Sequence, residues 1–194
     1  MTVHRKGSDG HIWEDITMKD SKIRRIVLAA MMAALSCVAT MSIRIPTIGT
    51  NGYVNAGDAV VLLSAWLIGG PYGAIAAGGG TALADLLSGY SHYVPATFII
   101  KFTMAFVASA LASFMINKRV PKTAAYITSA VAAELIMICG YFTYQFFILG
   151  YGIAAASSIG GNIAQGITCS VVAMAIFGAL QAAKVPARLF AGQH

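Results

Sequence analysis

Asp58, Asp85, Lys101 and Glu134 are ionisable residues set inside long apolar stretches. A charge is costly there unless it is paired or used, so each is a candidate functional group. Lys101 beside Asp58 or Asp85 would neutralise two charges and pin three helices together. Alternatively, the same groups line a polar pocket and meet a ligand. Glu134 has no basic residue at its own depth, so it must be protonated, hydrated or in contact with a ligand. Asn162 and Gln165 add hydrogen-bonding groups early in the last apolar stretch, either for a ligand or as glue between helices. Three sparsely charged loops, at 44–56, 88–94 and 148–159, carry Asn55, Tyr53, Tyr90, Tyr93 and Tyr151 among Gly and Ser. Tyr offers a stacking face plus a hydroxyl, which suits a small, flat, polar ring held under a lid. An aromatic belt at the membrane interface is the alternative.

Other chemistries find no support in the residues. The chain has no Gly-x-x-x-x-Gly-Lys-Ser/Thr loop, no His-Glu-x-x-His and no Gly-x-Ser-x-Gly, which argues against a Walker-type ATP site, a zinc protease and a serine hydrolase. An intramembrane enzyme using Asp85, Lys101 or Glu134 would need a nucleophile or metal that is not visible. Cys37, Cys139 and Cys169 fall in three different stretches without metal-ligand spacing and read as small apolar residues. No cofactor and no metal site is expected.

The elements that must position these groups are membrane helices. The chain is 58% hydrophobic and 10% charged with mean hydropathy +0.74, far below the roughly 25% charge of an average soluble domain. A membrane helix takes about 20 mostly apolar residues. Six spans are predicted, at about 26–45, 56–69, 72–88, 95–116, 123–147 and 160–184. The second and third are separated by Gly69-Gly70-Pro71, a turn signal. The expected fold is an all-α integral membrane protein, a six-helix bundle over residues 22–185. A polar, disordered segment at 1–21 would precede it and a short tail at 186–194 would follow. Met18 is a possible alternative start. Eleven of the thirteen basic residues fall before span one, between spans four and five, or after span six. The positive-inside rule then places both termini in the cytoplasm. The net charge of +6 is thus a topology signal, and nucleic acid is a poor partner. With that orientation Asp58, Asp85 and Lys101 lie in the outer half. Lys101 is about 9 Å past Pro95, and Glu134 is about 16 Å from the cytoplasmic end, at 1.5 Å per residue.

Span one also carries Ala29, Ala30, Ala33 and Ala34. Two small-xxx-small registers on one helix invite close approach by another helix, either inside this chain or on a partner.

Taken in order, Asn55-Ala56-Gly57-Asp58-Ala59, Gly69-Gly70-Pro71-Tyr72-Gly73, Ala84-Asp85-Leu86-Leu87-Ser88-Gly89-Tyr90 and Pro95-Ala96-Thr97-Phe98-Ile99-Ile100-Lys101 form a recognisable set. It resembles the substrate-binding S components of energy-coupling factor (ECF) transporters, in the branch associated with riboflavin, hydroxymethylpyrimidine and pyridoxine-type vitamins. The resemblance covers about residues 22–185. It implies capture of a water-soluble vitamin or precursor at the outer face of a bacterial or archaeal plasma membrane. It also implies a membrane coupling protein (T component) and two cytoplasmic ATPases as partners, and toppling of the whole S component to release its ligand inward. The T component would dock on Ala29/Ala33 or Ala30/Ala34. Asn55, Tyr93, Glu134, Asn162 and Gln165 are expected on the ligand, with Asp58, Asp85 and Lys101 framing the pocket. A stand-alone transporter with Glu134 as proton site is the rival.

Overall fold

The computed structural model describes residues 9–46 and 52–185. The first eight residues with Arg5 and Lys6, the loop at 47–51, and the tail at 186–194 with Arg188 lie outside the described residues. Six α-helices are found there: α1 (Asp9–Ser42), α2 (Gly57–Leu67), α3 (Gly70–Leu87), α4 (Val94–Asn117), α5 (Lys122–Thr143) and α6 (Ser157–Ala182). Helix α1 is described from Asp9 onward. Two short strands, β1 (Arg44–Pro46) and β2 (Tyr53–Asn55), pair antiparallel with Ile45 opposite Val54. A hairpin therefore replaces the open loop expected between the first two spans.

Four helical segments are long and apolar enough to cross a membrane: Lys22–Ser42, Val94–Asn117, Lys122–Ile148 and Gly152–Ala182. The other two differ for readable reasons. Helix α2 is apolar but only 11 residues long. Helix α3 has 18 residues, diluted by Gly70, Gly73, Gly78, Gly79, Gly80 and Asp85. Between α2 and α3, Gly69 takes φ +67° and Pro71 sits in the first helical turn. The glycine accepts a backbone region that other residues resist, and the proline needs no N–H partner there.

Side-chain placement is that of a protein in lipid. Met31, Leu87, Ile99, Phe114, Ile167 and Val171 point outward, while the centre is built from small residues such as Ala74, Ala77, Ala105, Ala108, Ala133 and Ala173 around Leu62, Met104 and Met137. Lipid supplies no hydrophobic drive between helices, so close packing must hold them. Helix α2 is the hub: nine of its eleven residues are buried, and it touches α1, α3, α4 and α6. Helix α3 gains its closeness from glycine. A Cβ at Gly80 would overlap the Ala33 carbonyl oxygen of α1, and one at Gly78 would stand 2.7 Å from the Phe98 carbonyl oxygen of α4.

Helix α5 runs into a π-turn, Tyr144–Ile148, and α6 is preceded by a 3-10 turn, Gly152–Ala156.

Candidate functional site

The hairpin and the α3–α4 and α5–α6 connections meet at one end of the bundle and enclose a cleft of about 410 Å³, its open mouth included. Strand β2 contributes Tyr53 and Asn55, and the last turn of α3 contributes Asp85. Tyr93 precedes α4 and Thr97 lies in its first turn. Tyr141 near the end of α5 and Gln145 in the π-turn that follows are four residues apart, one turn on, and both reach the cleft. Ser158, Asn162 and Gln165 follow along one face of α6. Gly52 completes the wall.

A polar network fixes this wall. The two oxygens of Asp85 accept from the Tyr53 hydroxyl and, at 2.5 Å, from the Thr97 hydroxyl. Thr97 also lies 3.0 Å from the Tyr141 hydroxyl. Gln145 donates to the Tyr93 hydroxyl at 3.2 Å and accepts from Ser158 at 2.6 Å. The Tyr53 ring meets Tyr90 at 4.7 Å, and Tyr93 meets His92 at 4.7 Å and Tyr144 at 5.7 Å. Burial pushes the Tyr93 hydroxyl up to about 12. Burial, followed by the Asp85 hydrogen bond, raises Tyr53 as well. Both hydroxyls therefore stay protonated and able to donate at physiological pH.

Beneath the cleft lies its floor. Lys101 is ion-paired with Asp58, with both side chains sealed from solvent. The other Asp58 oxygen accepts from the Gln165 amide at 2.5 Å, and the Gln165 carbonyl accepts from the Asn55 backbone N–H at 2.5 Å. Asn55 in turn accepts from the Gly57 N–H at 2.8 Å, which closes the hairpin onto the start of α2. Asp58 stands in the first turn of α2, where the helix dipole favours a negative charge. The Lys101 ammonium is 5.2 Å from the Tyr141 ring centroid. Glu134 is buried beside the Asp58–Lys101 pair, and neither of its oxygens makes a hydrogen bond of good geometry. It packs on Gly166, where any side chain would press against it.

The expected site residues thus separate into two levels. Asn55, Asp85, Tyr93, Asn162 and Gln165 line the cleft. Asp58, Lys101 and Glu134 lie below it, and Lys101 takes Asp58 rather than Asp85 as its partner. Thr97, Tyr141, Gln145 and Ser158 were not singled out. Their signals were spacings: Thr97 one turn before Lys101, Tyr141 seven residues after Glu134, Gln145 one turn further, and Ser158 one turn before Asn162. On α1, Ala30 and Ala34 are exposed while Ala29 and Ala33 are half-buried. Cys37, Cys139 and Cys169 are free thiols, and no group of three metal-ligating side chains occurs among the described residues.

Known proteins resemble this chain. A protein of Pyrococcus woesei described as "Uncharacterized protein in gap 3'region" is 29% identical over 135 residues, spanning 70% of this chain and 86% of that protein. A solved structure, "Structure and mechanism of the S component of a bacterial ECF transporter", matches with TM-score 0.62 and 23% identity over 82% of this chain and 96% of its own. That likeness establishes the fold. The family described as ECF-type riboflavin transporter, S component, matches residues 20–182, nearly the whole membrane part, and the chain belongs to that family.

Proposed function

We propose that this chain captures a small aromatic or heterocyclic vitamin, or a precursor of one, at the outer face of a bacterial or archaeal plasma membrane. It hands the ligand on as part of an ECF transporter, with a T component and two cytoplasmic ATPases. The observation that carries this reading is the cleft, whose walls alternate tyrosine rings with hydroxyls, carboxamides and one carboxylate. Such walls bind a flat polar ring by stacking and hydrogen bonds. Asn55, Tyr93, Asn162 and Gln165 contact the ligand, Asp85 and the Asp58–Lys101 pair hold the frame, and Glu134 supports the floor. Six helices build the membrane domain, and four of them are long and apolar enough to span it. Lys118, Arg119, Lys122 and Lys184 lie at the helix ends away from the cleft, which favours cytoplasmic termini. The T component docks on Ala30 and Ala34, because Ala33 is engaged with α3 at Gly80.

Proteoliposomes test the reading, with riboflavin, hydroxymethylpyrimidine and pyridoxine as trial ligands. The chain alone should bind without accumulating ligand. Adding the T component and ATPases should give uptake that stops without ATP. The second reading, a proton-coupled transporter working alone, draws on Glu134, a buried carboxyl that makes no hydrogen bond of good geometry. Accumulation by the chain alone, driven by a proton gradient, would replace the first reading with the second.

A further inference from the structure

Charge is distributed unevenly around this cleft. Asp85 is the charged residue in its lining. It is 4% exposed, and each of its oxygens receives one hydroxyl. A carboxylate oxygen can accept more than one hydrogen bond, so acceptor capacity remains. Among the described residues no cation forms an ion pair with it; Lys101 and His92 act on it only from a distance. Lys101 is committed to Asp58 in the floor. Arg44 sits on exposed β1 with its guanidinium 6.0 Å from the Tyr53 ring centroid. His92 is exposed in the α3–α4 connection. Across the buried set, three acids (Asp58, Asp85, Glu134) face one base (Lys101).

Helix amides do not make up the difference. Three N–H groups at the start of α4 are used, Tyr93 bonding to Tyr90, Val94 to Ser91 and Thr97 to Tyr93. The 3-10 turn ahead of α6 occupies the Ser157 N–H in the same way. An anion entering the cleft would meet the Asp85 carboxylate in its lining, whereas Lys101 is sealed in the floor and Arg44 and His92 stand on the exposed connections outside the lining.

We infer that the ligand is a compact aromatic ring carrying an amino or protonated nitrogen that donates to Asp85, and that phosphorylated or carboxylated forms are refused. The inference deepens the proposed vitamin capture and rests on it. In this arrangement Tyr53 and Thr97 hold the carboxylate still, the ligand nitrogen takes the remaining lone pairs, and the tyrosine rings sandwich the ring. Asp85 then sets specificity for charge.

Matched ligands read this directly by calorimetry on the purified full chain. Pyridoxamine and pyridoxine differ by an amino group in place of a hydroxyl. 4-Amino-5-hydroxymethyl-2-methylpyrimidine is compared with the same ring bearing oxygen at position 4. Riboflavin, flavin mononucleotide and pyridoxamine 5′-phosphate complete the set. At least one amine should bind ten times or more tighter than its oxygen counterpart, and neither phosphate ester should bind. Asp85→Asn should erase the tenfold preference. The matched pairs need no variant, so a poorly folding Asp85→Asn leaves the test intact. Equal binding within both pairs, tight binding of riboflavin without either amine, binding of a phosphate ester, or binding of none of the set would each overturn the inference. ATP-dependent uptake of any vitamin by the assembled transporter would still uphold the capture function, so the two failures are distinct.

Discussion

Replacing Lys101 with Met takes one charge out of a pair in which Asp58 is 0% and Lys101 1% exposed. Neither partner can turn to solvent, so Asp58 is left charged and buried. Removing one member of a buried pair costs about 3–5 kcal/mol. Asp58 keeps the Gln165 amide and its place in the first turn of α2, which puts the cost near the lower figure. At about 2–4 °C per kcal/mol for a chain of this size, a loss of about 3 kcal/mol lowers Tm by roughly 6–12 °C. The double variant Asp58→Asn/Lys101→Met removes both charges, while the new carboxamide can still accept from Gln165. It should recover to within about 1 kcal/mol of wild type, giving a coupling free energy of about 2 kcal/mol or more. Thermal unfolding in detergent, followed by circular dichroism, measures all four proteins. Because Asp58 holds Gln165, and Gln165 holds the Asn55 backbone, the single variant should also weaken ligand binding. A Lys101→Met protein melting within one degree of wild type, or a double variant as unstable as the two singles added, would refute the reasoning.

Two adjacent glycines should behave oppositely. Gly80→Ala forces a methyl into the α1 backbone at Ala33, an overpacking cost of about 1–3 kcal/mol. Gly79→Ala meets nothing within 4 Å and should gain up to about 1 kcal/mol of helix propensity; the two Tm shifts check the contrast. Glu134→Gln should melt at or above the wild-type temperature, since no hydrogen bond of good geometry to either oxygen is lost. A fall of several degrees would mean that the ionised carboxylate is in use. Replacing Ala30 and Ala34 together with Leu should abolish ATP-driven uptake without changing ligand Kd; loss of ligand binding would instead show that this face packs internally.

The elements were legible because membrane helices announce themselves one at a time. Long apolar runs, Gly69-Gly70-Pro71 and Pro95 marked α2, α3 and α4 without any tertiary information. Depth was legible too, since residue number along a helix converts to height. Azimuth was not. Asp58 and Asp85 both stand at helix ends on the cleft side of the bundle, and only the packing of α2 against α4 decides that Lys101 meets Asp58. The same limit hid the register on α1, where Ala29 and Ala30 differ by one residue and by which side of the helix meets α3. Thr97, Tyr141 and Ser158 escaped because an uncharged polar residue in a membrane helix carries no cost large enough to stand out. The hairpin was hidden because two three-residue strands are too short for any alternation to be read.

The unequal helix lengths have a consequence for the surrounding lipid. At 1.5 Å per residue, α3 is about 27 Å long, whereas α4 and α6 are about 36 and 39 Å, against a hydrocarbon thickness of about 30 Å. Helix α2, shorter still, is enclosed by its neighbours and meets little lipid. The acyl chains therefore touch a short wall at Ile75, Leu83, Leu86 and Leu87 of α3 and a tall one at Phe114 of α4 and Val171 of α6. No flat bilayer matches both. Each ångström of mismatch costs a fraction of a kcal/mol and is relieved by tilting, so acyl-chain length itself becomes a lever on how this molecule leans.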